Sequence, residues 1–301
     1  MQERHRPMRH ECRPIVAIIG LSACTPAGSA CLLSGESDVQ LQILGSGGPD
    51  TAGRASAAYL LWTDGASRIM VDAGGGAAHQ FRRASARLDD IELVALSHLH
   101  PDHSVDLPAL LWPEGGSFSV SGPTGAGVFP SIEDFLERLF GTGGAYHVLA
   151  EEIDLTPVTV DVTEEHPVEV WRAGGIVIQG SGVPHGDAPT VAYRIDMDDR
   201  SVAFASDQNG TDPAFIDFIR EVDLLVIHLG GTEDATGEIA ALHARPSVWG
   251  AMAAAANVGH VVVSHIGTSS AEQLNTDLAI LRDHFEGTIS VAEDLMCIDV
   301  G

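Results

Sequence analysis

Three histidines and one aspartate fall within six positions of this chain, in the segment His98-Leu-His-Pro-Asp-His103. Histidine makes up only 14 of the 301 residues, so composition alone does not account for such a cluster. The apolar run of residues 91–96 comes directly before it and predicts a buried strand. The cluster is therefore expected in a loop at the edge of a sheet, where binding and catalytic residues collect.

The spacing within this cluster favours metal binding. His98 and His100 are two positions apart, so they project to the same side of an extended chain. Pro101 disfavours the helical region for His100 and so preserves that extension. Asp102 and His103 are adjacent and point in different directions, which lets one loop serve two neighbouring ions. Imidazole and carboxylate without thiolate suit zinc or another divalent metal in an open, catalytic site.

Single histidine or aspartate residues also follow three later apolar runs that predict strands. These are His185 after residues 176–180, Asp207 after residues 202–205, and His265 after residues 261–263. Each alone could equally be a capped turn or a hydrogen-bonded loop residue. Because α/β proteins place their chemistry at the carboxyl ends of strands, the three residues and the cluster together form a coherent candidate site.

Strand-like and helix-like patterns alternate along the chain from residue 39 onward. Strands are predicted at residues 39–44, 59–62, 68–71, 91–96, 168–171, 176–180, 191–195, 202–205, 224–228 and 261–263. Helices are predicted at residues 77–87, 104–111, 131–140, 213–220, 246–256 and 271–283, and residues 115–130 have the composition of a glycine-rich loop. Two strand-rich halves with interspersed helices indicate an α/β fold, with two packed sheets and helices outside, in one domain over residues 39–301.

The order of the candidate site residues resembles that of a known superfamily. His-x-His-x-Asp-His, followed by a histidine, an aspartate and a histidine, is the pattern of the metallo-β-lactamase superfamily. Further stretches resemble its ribonuclease Z and arylsulfatase branch, among them residues 44–48, 71–74, 184–189, 225–228 and 241–243, while residues 292–296 resemble the closing strand of that branch. The resemblance runs from about residue 41 to the C-terminus and implies a four-layered αββα sandwich.

The same resemblance implies two divalent metal ions, expected to be Zn²⁺, and assigns their ligands. One ion would be held by His98, His100 and His185, the other by Asp102, His103 and His265, with Asp207 bridging the two. His228 would contact a ligand rather than an ion. His243 matches a histidine that assists the reaction in this branch, although an N-cap or surface position beside the helix at residues 246–256 is an equal alternative.

The expected chemistry follows from the paired charges. Two divalent ions a few ångströms apart lower the pKa of a shared water to about 7, which supplies a bridging hydroxide at neutral pH. Asp102 could orient or deprotonate this water, and His243 could donate a proton to the leaving group. Because the chain has no lysine, the negative charge that develops in the transition state would be stabilised by the ions, by Arg54 or Arg245, or by backbone amides. We therefore expect hydrolysis of an ester bond.

The chain is strongly acidic, with 42 acidic residues, 16 arginines, no lysine and a net charge of −26. The absence of lysine excludes Schiff-base and pyridoxal-phosphate enzymes and a P-loop. Such a surface repels phosphate backbones and anionic lipids, and residues 115–146 contain no long basic arm. We expect a small phosphodiester or sulfate ester as substrate and no nucleic-acid partner. The alternatives are a lactone or other carboxylic ester, ribonuclease Z-type cleavage of RNA, or a non-catalytic metal-binding envelope protein.

The N-terminal residues have the pattern of an export signal. Four arginines precede the apolar residues 15–21, and Leu21-Ser-Ala-Cys24 resembles a lipobox. We expect a lipoprotein-type signal at residues 1–23, a lipid anchor at Cys24 and a tether at residues 24–38, with Met8 as an alternative start. The protein would then lie in the cell envelope, periplasmic or on the outer membrane face; a cytoplasmic location is the alternative. Cys31 and Cys297 could pair in an oxidising compartment, and the oligomeric state stays open.

Overall fold

A computed structural model describes residues 31, 38–50, 53–112, 114–267 and 270–301. Its first half contains six strands: β1 (Val39–Gly45), β2 (Ala58–Thr63), β3 (Ala66–Val71), β4 (Leu93–Ala95), β5 (Gly116–Pro123) and β6 (Ile153–Val160). Four helices lie between them: α1 (Ala77–Arg83), α2 (Pro101–Ser104), α3 (Leu107–Leu111) and α4 (Ile132–Phe140). The predicted strands and helices of this half recur here with shifted ends.

The second half repeats this alternation. Its strands are β7 (Val168–Ala173), β8 (Ile176–Val183), β9 (Thr190–Met197), β10 (Arg200–Phe204), β11 (Leu224–His228), β12 (His260–Ser264), β13 (Thr288–Val291) and β14 (Cys297–Asp299). Its helices are α5 (Ala214–Phe218), α6 (Gly237–Leu242), α7 (Pro246–Ala255) and α8 (Ala271–His284). Neither α6 nor the last two strands had been predicted at these positions.

The strands form two seven-stranded sheets within the described residues, in the orders β14-β1-β2-β3-β4-β5-β6 and β13-β12-β11-β10-β9-β8-β7. In the first sheet β1, β2 and β3 are antiparallel, and β3 to β6 are parallel. In the second, β7 to β10 are antiparallel and β10 to β13 are parallel. The turn between β2 and β3 has positive φ at both Asp64 (50°) and Gly65 (81°), as a two-residue hairpin turn of type I′ requires.

Alternate residues of the inner strands face two different apolar layers. Along β2, Tyr59 and Leu61 belong to the core between the two sheets, whereas Leu60 and Trp62 pack into the core shared with α1, α3 and α4. A third core joins the second sheet to α5, α7 and α8. Because both faces of the central strands are covered, strands such as β2 and β11 are buried along their whole length and consist mainly of apolar residues. The predicted four-layered αββα sandwich is confirmed.

Two local predictions were wrong. The expected glycine-rich loop at residues 115–130 contains β5, which pairs with β6 and extends the first sheet. Serine and glycine make up most of β5, and only Phe118 and Val120 belong to the aromatic and β-branched types that indicate a strand. Strand β6 was not predicted either, and its Pro157 is a residue that central strands exclude. A proline is tolerated there because β6 lies at the edge of the sheet. Residues 292–296 connect β13 to β14, and the closing strand that pairs with β1 is β14.

A disulfide joins Cys31, inside the expected tether, to Cys297 at the start of β14. Cys31 is buried and packs into the core beneath the first sheet. The expected signal at residues 1–23, the lipidation site Cys24 and most of the tether lie outside the described residues. Among the residues that the structure describes, no helix has the length and apolar character needed to cross a bilayer.

Loss of this disulfide should destabilise the protein, since the bond restricts the unfolded chain across 266 residues of sequence. We expect Cys31→Ser and Cys297→Ser each to lower the free energy of unfolding by about 2–4 kcal/mol in urea titrations. The double variant should lose no more than either single variant, and reduction should destabilise only the wild type. Single variants as stable as the oxidised wild type would contradict the pairing.

Candidate metal centre

The candidate site residues come from both halves of the sandwich and meet at one edge of it. His98 follows β4, and the other three residues predicted at strand ends follow the second sheet: His185 after β8, Asp207 after β10 and His265 after β12. The carboxyl ends of parallel strands lie at the same edge of a sheet, which explains why residues so distant in sequence converge. All four are buried.

One ligand group consists of His98, His100 and His185, whose candidate ligand atoms all lie within 4.8 Å of one another. His98 Nε2 is 2.9 Å from His100 Nδ1, as expected for side chains that project to the same side. His100 is extended (φ −65°, ψ 148°), in agreement with the restriction predicted from Pro101. His185 Nδ1 donates a hydrogen bond to the Leu242 carbonyl at 2.9 Å, which leaves Nε2 without its proton and directed into the site.

A second ligand group contains Asp102, His103 and His265. Asp102 Oδ2 lies 3.2 Å from His265 Nε2 and 3.5 Å from His103 Nε2. His103 and His265 also stack, with ring centroids 5.2 Å apart. These three side chains present two imidazole nitrogens and a carboxylate oxygen to one small volume, as a divalent ion requires.

Asp207 lies between the two groups. Its Oδ2 is 3.7 Å from His185 Nε2 in the first group and 3.7 Å from His103 Nε2 in the second. Its Oδ1 is 3.5 Å from His265 Nε2. One carboxylate thus faces ligand atoms of both groups, which is the arrangement that a bridging ligand needs.

Two further side chains, Asp72 and His228, form hydrogen bonds to members of the ligand groups. Asp72 Oδ2 is 2.8 Å from His103 Nδ1, so His103 can present only its Nε2 to the site. His228 Nδ1 donates to Asp207 Oδ1 at 2.7 Å, and its Nε2 is 3.0 Å from the Tyr59 hydroxyl. The structure therefore places His228 against Asp207, and a ring nitrogen of His228 also belongs to a candidate ligand group with His103, Asp207 and His265. Asp72 and Tyr59 were not singled out, although Asp72 also stands directly after a strand.

Burial and mutual charge set the protonation of the cluster. Burial lowers the pKa values of His98, His100 and His185 below the ordinary range, so these imidazoles are neutral at pH 7, as metal ligands must be. For His103, burial acts in the same direction, but the carboxylates of Asp72 and Asp207 outweigh it and raise its pKa.

The two carboxylates of the site are ionised. Burial raises the pKa of Asp207, but His265 and His103 outweigh this effect and hold the pKa well below its usual range. Burial likewise opposes ionisation of Asp102, yet the hydrogen bond from His265 and the charge of His103 lower its pKa to about 2. The site therefore offers anionic oxygens and imidazole nitrogens together.

The buried nitrogens test whether the cluster fits a metal. Within the described part of the chain, His103 Nε2 and His185 Nε2 are buried and have no hydrogen-bond partner. An unsatisfied buried polar atom costs about 1–3 kcal/mol, so two that face the same carboxylate need an explanation. A divalent cation about 2.0–2.1 Å from imidazole nitrogen would satisfy both. The residues present fit such an ion.

The remaining predicted residues have distinct positions. His243 follows α6, is largely buried and lies with its Nδ1 4.0 Å from Asp207 Oδ2. The alternative N-cap role is wrong, because the N-cap of α7 is Arg245. Arg54 donates to Ser46 Oγ at 2.7 Å and to the Ala292 carbonyl at 2.9 Å, and Arg245 donates to the Ala235 carbonyl at 3.2 Å. Both arginines thus form hydrogen bonds that connect loop segments near the site.

Residues 67–266 match the family model of the beta-lactamase superfamily domain. The chain belongs to this superfamily. Ribonuclease Z of Mycobacterium bovis is 26% identical over 286 residues, which cover 87% of this chain and 98% of that protein. This similarity, together with the motifs described above, confirms the ribonuclease Z-like branch.

Solved structures of the superfamily show the same fold. A metallo-beta-lactamase fold protein of Bacillus subtilis superposes with a TM-score of 0.68 at 20% identity, over 86% of this chain and 98% of that protein. A diphosphatase of the PhnP family superposes with a TM-score of 0.63 at 17% identity, over 87% of this chain and 98% of that one. The His/Asp cluster of the present chain is a candidate site for divalent metal on this shared fold.

The hydrogen bond from His228 to Asp207 should be needed for tight metal binding, because it fixes the carboxylate that faces both ligand groups. We expect His228→Ala to weaken Zn²⁺ binding by about 10–100-fold in competition with a chromophoric chelator. His260→Ala is the matched control, since that histidine contacts Ser290 at the other end of the sheet and should not alter the affinity. An unchanged affinity in His228→Ala would show that Asp207 needs no such support.

Proposed function

We propose that this protein is a dinuclear, Zn²⁺-dependent hydrolase of a small phosphodiester or sulfate ester. The observation that carries the proposal is the position of Asp207, whose Oδ2 is equidistant, at 3.7 Å, from His103 Nε2 and His185 Nε2. Because these nitrogens belong to separate ligand groups, a single carboxylate would contact both ions.

Two sets of side chains would hold the ions. The first would be bound by His98, His100, His185 and Asp207, and the second by Asp102, His103, His265 and Asp207. Zn²⁺ suits nitrogen-rich sites of this kind, which contain carboxylate but no cysteine. When bound, such ions lower the pKa of coordinated water and polarise an ester oxygen.

Asp102 is the side chain of this chain best placed to orient an attacking water. It is partly accessible, with 10% of its side chain exposed, whereas Asp207 is enclosed by histidines. A carboxylate with a pKa of about 2 is a weak base. Asp102 would therefore accept a hydrogen bond from the water and orient the water's lone pair, but it would not retain a proton taken from the water.

The charge distribution favours a small substrate over RNA. Residues 116–160, which form β5, α4 and β6, contain one arginine, Arg138, and six acidic residues. A phosphate backbone would be repelled by such a surface at ordinary ionic strength. The diphosphatase of the same fold supports a small phosphate compound as substrate, whereas the similarity to ribonuclease Z keeps RNA as the competing substrate.

Chelation and substrate choice test this function together. The Zn²⁺-loaded full chain would be assayed side by side on a bis-aryl phosphate, an aryl sulfate, a lactone and a precursor tRNA. We expect hydrolysis of the phosphate or sulfate ester, its loss on chelation and its return with Zn²⁺, because the ions activate the water. Asp207→Asn, which removes the shared carboxylate, should be inactive on every substrate.

Other results of this assay would overturn the proposal in distinct ways. Preferential cleavage of precursor tRNA would establish a ribonuclease, and preferential opening of the lactone would establish a carboxylic ester hydrolase. Two bound ions without hydrolysis of any substrate would establish a metal-binding protein instead.

We also propose that the protein is exported and anchored through Cys24. The arginine-rich, apolar and small-residue order of the N-terminal segment supports an export signal. The disulfide between Cys31 and Cys297 supports an oxidising compartment, where such bonds persist.

Substitution of the lipobox cysteine tests this location. In cells that express the full chain, the wild type should label with radioactive palmitate and sediment with membranes, whereas Cys24→Ser should remain unlabelled because no acyl chain can be attached. Cys12→Ser is the matched control. Wild-type protein that stays unlabelled in the cytosolic fraction would contradict export.

A further inference from the structure

The loop between β5 and α4, residues 124–130, brings an aromatic ring against a candidate metal ligand. The ring centroids of Phe129 and His100 are 5.6 Å apart, and the two rings meet edge to face at 67°. We propose that Phe129 lines the substrate site and selects an ester that carries an aromatic group. This inference rests on the proposed function, since it names the group that the ester bears beside the metal centre.

His100 marks the open side of its ligand group. His98 and His185 are buried, at 0% and 2% exposure, whereas His100 is only half-buried. An ester that approaches the first ion from solvent therefore passes the imidazole of His100 and the ring beside it. Phe129 is itself only partly buried, so part of its surface remains available to a substrate.

The backbone of the loop fixes the position of this ring. Ala126 and Phe129 exchange two backbone hydrogen bonds, of 3.1 and 2.9 Å, around a two-residue turn. Gly127 has a positive φ of 57° at the first central position, which a type II′ turn requires. The loop begins at Thr124, whose N–H donates to the last residue of β6, and it ends before Ser131, the N-cap of α4. Because both ends are attached to regular structure, the ring is held beside His100.

Gly125 lets the loop fold back on itself. A Cβ atom at this position would lie 2.7 Å from the Ser131 nitrogen and 3.0 Å from the Phe129 carbonyl oxygen. Only glycine permits such a close approach of backbone to backbone. Any larger residue would displace the segment that carries Phe129.

The loop offers no charge to a substrate. Residues 115–132 contain no acidic or basic side chain, in a chain that has 42 acidic and 16 basic residues. Metal ions bind the anionic part of an ester, so an uncharged surface next to them favours an apolar substituent. An aromatic substituent gains most, because two aromatic rings attract each other beyond the effect of the area that they bury.

The same loop lines a cleft that reaches another ligand of the first ion. Ala126 and His185 both line this cleft, which has a volume of about 480 Å³. Asp187 and Asp212 also line it and would repel a second anionic group on the substrate. The cleft therefore suits an ester with a single negative charge better than a polyanion.

Two phosphonates test this preference without turnover. Phenylphosphonate and methylphosphonate present the same anionic group to the ions and differ only in the substituent. Their dissociation constants would be measured by isothermal titration calorimetry on the Zn²⁺-loaded full chain. We expect the wild type to bind phenylphosphonate about tenfold more tightly than methylphosphonate, because the phenyl ring packs against Phe129.

Substitution of Phe129 should remove this preference. We expect Phe129→Ala to bind phenylphosphonate about tenfold more weakly than the wild type does, with the affinity for methylphosphonate unchanged. Phe129→Tyr keeps an aromatic ring and should retain the preference. Gly125→Ala, which keeps Phe129 but displaces the loop, should lose it.

Control variants separate a local effect from misfolding. Val128→Ala is the match for Phe129→Ala, because the neighbouring Val128 side chain is 90% exposed at the tip of the turn. Gly75→Ala is the match for Gly125→Ala, because a Cβ there would meet only ordinary contacts at 3.7 Å. Both controls should retain the preference for phenylphosphonate, and circular dichroism would establish that every variant is folded.

Two results would overturn the role of Phe129. One is equal affinity of the wild type for the two phosphonates, and the other is a preference that survives in folded Phe129→Ala. Failure of the proposed function is distinguishable, since the Zn²⁺-loaded wild type would then hydrolyse neither the aryl phosphate nor the aryl sulfate, whatever its affinity for the phosphonates.

Discussion

The structure depends on the stabilisation of one buried negative charge, that of the Asp207 carboxylate. Asp207 is 3% exposed, and burying an ionised carboxylate without partners would cost several kcal/mol. His103, His185, His228 and His265 all place a ring nitrogen within 4 Å of its oxygens. His103 lies in α2 of the first half and the other three histidines belong to the second half, so Asp207 gains all four partners only when the two halves of the sandwich pack together.

The sandwich provides this convergence through a repeated arrangement of strands. Each half passes from antiparallel to parallel strands, and the parallel strands end at the edge where the cluster lies. Apolar packing on both faces of the sheets makes the frame rigid, so ligand positions follow from where strands end. The Cys31–Cys297 disulfide adds a covalent link at β14, the edge strand of the first sheet.

Much of the site could be predicted because its residues follow apolar runs. His98, Asp207 and His265 each follow the end of an apolar run that predicts a strand, and this signal can be recognised without knowledge of tertiary contacts. Asp72 and Tyr59 were missed because their roles depend on partners 31 and 169 residues away, His103 and His228. The fold was predicted as two covered sheets, but strands that rely on pairing rather than composition, such as β5 and β6, were not.

Anomalous diffraction tests most directly whether Asp207 lies between two metal ions. Crystals of the Zn²⁺-loaded protein, measured on both sides of the zinc absorption edge, would reveal each ion without reference to activity. Two peaks are expected, one on each side of the Asp207 carboxylate: the first beside His185 and the second beside His103. A single peak, or peaks away from this carboxylate, would contradict this arrangement.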